Sequence, residues 1–146
     1  APRIAGIFYI NLDYDEARRR YMEARLDRLG QDLPLWWARL PGVEAAAMRS
    51  DKHYASWRDK GFGPARPSHD WGVAACAYSH YLAIRQVACA AEELEKRNEV
   101  VLIAEDDADF VQDLQGAWEE LWPFVPEDWD VLRVGWFGDF QNCSQA

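Results

Sequence analysis

The chain holds only three cysteines, Cys76, Cys89 and Cys143, and none in a Cys-x-x-Cys spacing. Such an odd, scattered set is neither a zinc cluster nor a disulfide framework; it points to a reducing compartment, with one disulfide plus a free thiol as the alternative. No apolar run approaches the roughly 20 residues that a membrane span needs, so no span is expected. Positive charge is short as well: 16 Lys and Arg stand against 25 Asp and Glu, for a formal net charge of −9. An acidic surface repels phosphate, which argues against nucleic acid as a partner. The opening Ala1-Pro2-Arg3 leads into an apolar stretch too short for a signal peptide and interrupted by Asn11; removal of an earlier leader stays open. There is no internal repeat and no low-complexity tract.

What is present suits one α/β domain covering residues 1–146. Half the residues are apolar and eight are Trp, enough for one buried core. Residues 4–12 read as a buried strand, since Ile4, Ile7, Phe8, Tyr9, Ile10 and Leu12 form a nearly continuous apolar run. Asp13 or Asp15 can cap the helix that follows, and Asp13 with Glu16 has capping-box spacing. Met22, Leu26 and Leu29 give that helix its apolar stripe, and Gly30 is expected to stop it. A second strand is expected at 35–40, closed by Pro41-Gly42.

Residues 50–70, rich in Gly and Pro, read as a long loop with one short helix. The clearest helix spans 72–97, where Cys76, His80, Ile84, Val87, Ala91 and Leu94 recur at spacings of three and four. Further strands are expected at 100–104 and 129–134, with a helix over 114–121 between them. This alternation predicts a mostly parallel, Rossmann-like sheet with helices on both faces.

The strand at 100–104 runs into Glu105-Asp106-Asp107. In open α/β sheets ligands bind beyond the carboxyl ends of the strands. Adjacent carboxylates repel one another, and a hard divalent cation such as Mn²⁺ or Mg²⁺ relieves that repulsion while holding phosphate oxygens. The plainer reading is a set of solvated acids at a strand-to-loop junction. Response-regulator receiver domains share an acidic pair after an apolar strand, but their next strand ends in an Asp, whereas 129–134 is followed by Gly135-Trp136.

Four blocks, in order, resemble glycosyltransferase family 25, the family of bacterial lipopolysaccharide glycosyltransferases and procollagen galactosyltransferases. The first strand with Asn11-Leu12-Asp13 and Arg18 is one. Gly72-Val73-Ala74-Ala75-Cys76-Ala77-Tyr78-Ser79-His80 is similar to the family's Gly-x-x-Gly-Cys-x-x-Ser-His block. Val101-Leu102-Ile103-Ala104-Glu105-Asp106-Asp107-Ala108 and Trp129-Asp130-Val131-Leu132-Arg133-Val134-Gly135 resemble the two that follow. Departures are Tyr14 for a basic residue, and Ala45 and Ala75 for glycines.

The resemblance implies a GT-A fold and an inverting, metal-dependent transfer of a hexose, galactose or glucose, from a UDP-sugar to a hydroxyl of a glycan or protein acceptor. It implies that Asp107, with Glu105, ligates Mn²⁺ or Mg²⁺, and that Glu105 faces the ribose or donor sugar with Asp106 between them. Asn11, Asp13 and Arg18 would lie near the nucleotide, Ser79 would line the donor pocket or bond back within its helix, and Glu44 would serve the uridine pocket. Family domains continue into an acceptor-binding half, so the chain is expected to lack that half; a non-catalytic nucleotide-sugar-binding or interaction domain is the alternative. A cytoplasmic location is expected, with the lumen of the endoplasmic reticulum or Golgi as the alternative. The residues name no catalytic base; Asp139 is a candidate only through its place after the last expected strand. His80 reads as a core or catalytic histidine and Cys76 as a small core residue. Most tryptophans read as core, with Trp57 and Trp136 as candidates for stacking on a sugar or base.

Overall fold

The computed structural model describes residues 1–48, Lys52 and 71–135. Three strands form one parallel sheet: β1 (Arg3–Asn11), β2 (Trp36–Pro41) and β3 (Glu99–Glu105), in the order β2-β1-β3. Between β1 and β2 runs α1 (Glu16–Asp32). Between β2 and β3 come α2 (Ala45–Met48), α3 (Trp71–Ala88) and α4 (Ala91–Lys96). After β3 follow α5 (Leu114–Leu121) and a 3₁₀ turn at Trp122–Phe124.

The apolar run of β1 makes it the central strand. Ile7 and Tyr9 are fully buried, and they pack with Met22, Leu26 and Leu29 of α1 and with Ala104 of β3. The stripe expected on α1 is therefore the face it buries. Tyr9 sends its hydroxyl to Glu23 at 2.6 Å. Burial first, then that bond to a carboxylate, pushes the phenol well above its ordinary pKa. Gly6 lacks a side chain where the Trp36 ring lies, and a Cβ there would stand 2.3 Å from it. Trp36 in turn meets Phe8 edge to face at 5.0 Å.

Alternation along β3 sends Ala104 toward α1 and Glu105 to the opposite side, where His80 of α3 meets it. A second cluster gathers Met48, Ala74, Ala75 and Tyr78, with Val43, Trp71 and Leu82 packed against it. Near the start of β1, the buried Trp118 of α5 donates its indole N–H to the Pro2 carbonyl at 2.8 Å.

Of the two acids that could cap α1, Asp15 does so, accepting the Arg18 amide at 3.2 Å, and the capping box of Asp13 with Glu16 does not form. Other expectations are corrected. Gly30 does not stop α1, which runs two residues further to Asp32 and closes at Leu33; Gly30 sits in open space, and continued hydrogen bonding outweighs its modest cost in a helix. The helix expected over 72–97 is two helices, separated where the Ala90 amide turns back to the Val87 carbonyl at 2.9 Å. Its buried face is Ala74, Ala75, Tyr78, Ser79 and Ala83 rather than the line through Cys76, His80 and Ile84. Small side chains let the helix approach its neighbours closely, so they take the interior while bulkier Ile84 stays exposed.

The strand expected at 129–134 is also absent. Val131 and Val134 are exposed, and Trp129 instead stacks edge-on against Trp122 at 5.9 Å. Among the described residues β3 is thus an edge strand, and most of it is only half-buried. Trp118 is buried, but Trp36 is exposed, so the core reading of the tryptophans holds only in part. The loop expected at 50–70, Trp57, Trp136 and Asp139 lie outside the described residues, Lys52 apart. Among the described residues, no helix is long and apolar enough to cross a membrane.

Candidate functional site

The strand order itself creates the site. From β1 the chain moves through α1 to β2 on one flank; from β2 it returns past β1 to β3 on the other. The connections leaving β1 and entering β3 thus diverge, which opens a crevice at the carboxyl ends of these two strands. A cleft of about 260 Å³ lies there. Its walls include Asn11 from the end of β1, Arg18 from α1, Cys76, Ser79 and His80 from α3, and Glu105 and Asp106 from the end of β3.

The floor is a chain of polar contacts that ties all three strand ends together. Asn11 is buried, and both of its amide protons are engaged. It donates to Asp106 at 2.7 Å and to the Asp15 carbonyl at 3.1 Å, and it accepts from Arg39 at 3.0 Å. Arg39 also donates to the Asn11 carbonyl at 3.0 Å and pairs with Asp13. On the far side Arg18 donates to Asp106 at 3.2 Å and lies 3.7 Å from Asp107. The bond and charge of Asp106, then the charge of Asp107, hold the Arg18 guanidinium even more firmly protonated than usual. The network β2–β1–β3–α1 therefore runs Arg39, Asn11, Asp106, Arg18.

Ser79 makes both contacts open to it from inside its helix. Its hydroxyl donates to the Ala75 carbonyl at 2.7 Å and accepts the Val43 amide at 2.8 Å. It pins α3 to the chain leaving β2 while lining the cleft.

Of the expected site residues, the cleft brings together Asn11, Arg18, Ser79, Glu105 and Asp106. Asp107 stands beside Arg18, half-exposed. Asp13 is turned to Arg39 and Glu44 is exposed; neither lines the cleft. Asp13 pairs there with Arg39, which emerges from β2.

Cys76, read as core, and His80, read as core or catalytic, both line the cleft. Cys76 is exposed and its thiol lies 3.9 Å from Glu105; His80 is half-buried with Nε2 3.3 Å from the same carboxylate oxygen. The signal for this was in the sequence: Cys76 and His80 are four residues apart, on one helix face. Arg39 was missed altogether. A charged side chain inside the apolar 35–40 strand was its signal, since a cation there needs partners.

Desolvation at the cleft wall, and next the negative charge of Glu105, push the Cys76 thiol above its ordinary pKa, with Asp107 adding to the effect. Only the thiolate is nucleophilic. Iodoacetamide is therefore expected to alkylate Cys76 several-fold more slowly in the folded protein than in urea, at a pH near the ordinary thiol value. The rate should keep rising with pH above that value, and Glu105→Gln should speed it. Peptide mapping of the labelled cysteine reads this out; equal folded and unfolded rates would show that the carboxylates do not act on the thiol.

A hard cation at this strand end would need carboxylate oxygens with lone pairs to spare. Both oxygens of Asp106 already accept protein donors. Glu105 and Asp107 are the more open pair, and both act electrostatically on the same point, the Cys76 thiol. Carboxylate oxygens are the donors that Mn²⁺ or Mg²⁺ takes. Compared with protein-family models, with curated proteins and with solved structures, the chain finds no match.

Proposed function

We propose that this chain is the nucleotide-sugar-binding part of a metal-dependent glycosyltransferase, which moves a hexose from a UDP-sugar to an acceptor hydroxyl on a glycan or protein. The observation that carries the reading is the convergence of Arg18, Ser79, Glu105 and Asp106 on one cleft at the diverging strand ends. Such crevices are where parallel α/β sheets take nucleotides.

The acids and the arginine divide the work. Glu105 and Asp107 would hold Mn²⁺ or Mg²⁺. When bound, that ion supplies Lewis-acid neutralisation of the charge that grows on the leaving diphosphate. Arg18 sits beside Asp107 with its side chain half-exposed, so its guanidinium can turn to a phosphate oxygen while Asp106 still orients it. Asn11 holds Asp106 from below and fixes the height of the acidic turn relative to β1. In this reading Asn11 positions the site, because both of its amide protons are already given to Asp106 and to the Asp15 carbonyl.

A second reading, a domain that binds the donor without turnover, is favoured by one feature. Among the described residues lining the cleft, each carboxylate already has a partner: Asp15 caps α1, Asp106 holds Asn11 and Arg18, and Glu105 faces His80. Glu105 meets His80 through one oxygen and is otherwise committed to the cation, so in this reading none of them remains to deprotonate an acceptor hydroxyl. A UDP-release assay with a panel of acceptors separates the two readings.

Both readings require metal-dependent nucleotide binding. Calorimetric titration is expected to show UDP binding tighter by about tenfold or more with Mn²⁺ than without it. Equal affinity in the two conditions would remove the basis for a donor site.

A further inference from the structure

Cys76 and His80 occupy successive turns of α3 and face the cleft together, where the end of β3 presents Glu105 between them. We propose that these three side chains form a binding site for a borderline-soft divalent cation of the zinc type. It is distinct in ligand chemistry from the carboxylate pair suited to Mn²⁺, although it shares Glu105.

Geometry is the first support. A tetrahedral zinc ion, with bonds of about 2.0 Å to nitrogen and oxygen and about 2.3 Å to sulfur, spaces its ligand atoms about 3.3 Å apart for N···O and about 3.5 Å for S···O. Here His80 Nε2 lies 3.3 Å and Cys76 Sγ 3.9 Å from Glu105 Oε1, and all three ligand atoms fall within 4.8 Å of one another. Side-chain rotations that shift the ligand atoms by roughly 1 Å or less close the set. The backbone need not move, because an i, i+4 pair on a helix already points both ligands the same way.

Ligand chemistry is the second. Hard cations prefer all-oxygen sets, whereas thiolate and imidazole select zinc and its neighbours. Asp107 adds negative charge nearby, since it acts on the Cys76 thiol, without being one of the three ligands. The third support is access. Cys76 is exposed and the other two are half-exposed, so a fourth position opens to the cleft. Three protein ligands and one open position describe a site for water or a small ligand rather than a closed structural knot. Zinc binding here does not depend on the cleft accepting a nucleotide.

The test uses the full chain with Cys89→Ser and Cys143→Ser, so that Cys76 is the sole thiol, titrated with Co²⁺ alone. A sulfur-to-cobalt charge-transfer absorption is expected, saturating at equimolar metal and abolished by added Zn²⁺. Cys76→Ser should erase the sulfur band, and His80→Ala should weaken cobalt binding by about tenfold or more, with circular dichroism confirming that both variants fold. A single-thiol protein without the sulfur band, or a His80→Ala variant that binds cobalt as tightly as its parent, would overturn the proposal. Asp107→Ala keeps the sulfur band if the site is as proposed, whatever happens to Mn²⁺-dependent UDP binding; the failures of the two readings are thereby distinguishable.

Discussion

Asp106→Ala is expected to cost about 2–3 kcal/mol of stability, which for a chain of this size lowers the melting temperature by roughly 5–10 °C. Asp106 is buried, and it accepts from Asn11 at 2.7 Å and Arg18 at 3.2 Å. The bond to Asn11 matters most, because Asn11 is buried and the alanine leaves one of its amide protons without its protein acceptor. The Arg18 share is smaller, since that side chain is half-exposed and screened. Asp106→Asn keeps an acceptor for Asn11 and loses the charge toward Arg18, so a cost of about 1 kcal/mol is expected. The ordering of the three proteins in urea titrations is the check. An alanine variant within about 0.5 kcal/mol of the parent would mean that the strand ends hold together without this network.

The network also explains what the sequence could and could not reveal. β1, α1 and the acidic end of β3 were legible because each is marked by local pattern: a continuous apolar run, a stripe at Met22, Leu26 and Leu29, a run broken by three acids. Their meeting was legible only through a topological rule. The partners within the site were not. Whether Asp13 or Asp15 caps α1 depends on where Arg39 emerges from β2, and that is a contact across 26 residues. Similarly, the helical line Cys76, His80, Ile84 has the right period for a buried stripe. The neighbouring line of alanines, Tyr78 and Ser79 has the same period, and it packs more closely. Periodicity identifies the helix, but two faces with equal period are separated only by what each must pack against.

The expected fourth strand failed for a related reason. Residues 129–134 look like a buried strand through Val131, Leu132 and Val134. A strand in a parallel sheet needs a neighbouring edge and cover on its faces. Trp129 instead joins the aromatic row of Trp118 in α5 and Trp122 just after it, and Val131 and Val134 are left in solvent. Apolar content marks the residues that can be buried; the pull of a competing aromatic contact is invisible in a linear pattern.

The second large effect concerns Asp107, whose role differs from that of its neighbour. Asp107 is half-exposed and has one long ion pair, to Arg18 at 3.7 Å, so little of the fold hangs on it. Asp107→Ala should leave stability within about 0.5 kcal/mol of the parent, as expected for an exposed surface acid. If it and Glu105 hold the cation, the same substitution removes half of the protein's carboxylate ligands to that ion. Loss of a tuning residue around a metal already costs 10- to 100-fold in affinity as a rough guide; loss of a ligand should cost about 100-fold or more in Mn²⁺-dependent UDP binding, while metal-free UDP affinity stays unchanged. Asp106 and Asp107 thus make opposite predictions from adjacent positions: one variant loses stability, and the other keeps its fold but loses its metal response. Unchanged Mn²⁺-dependent binding in Asp107→Ala would place the cation elsewhere in the cleft, and an equal loss of stability in both variants would show that the acidic turn acts as one structural unit.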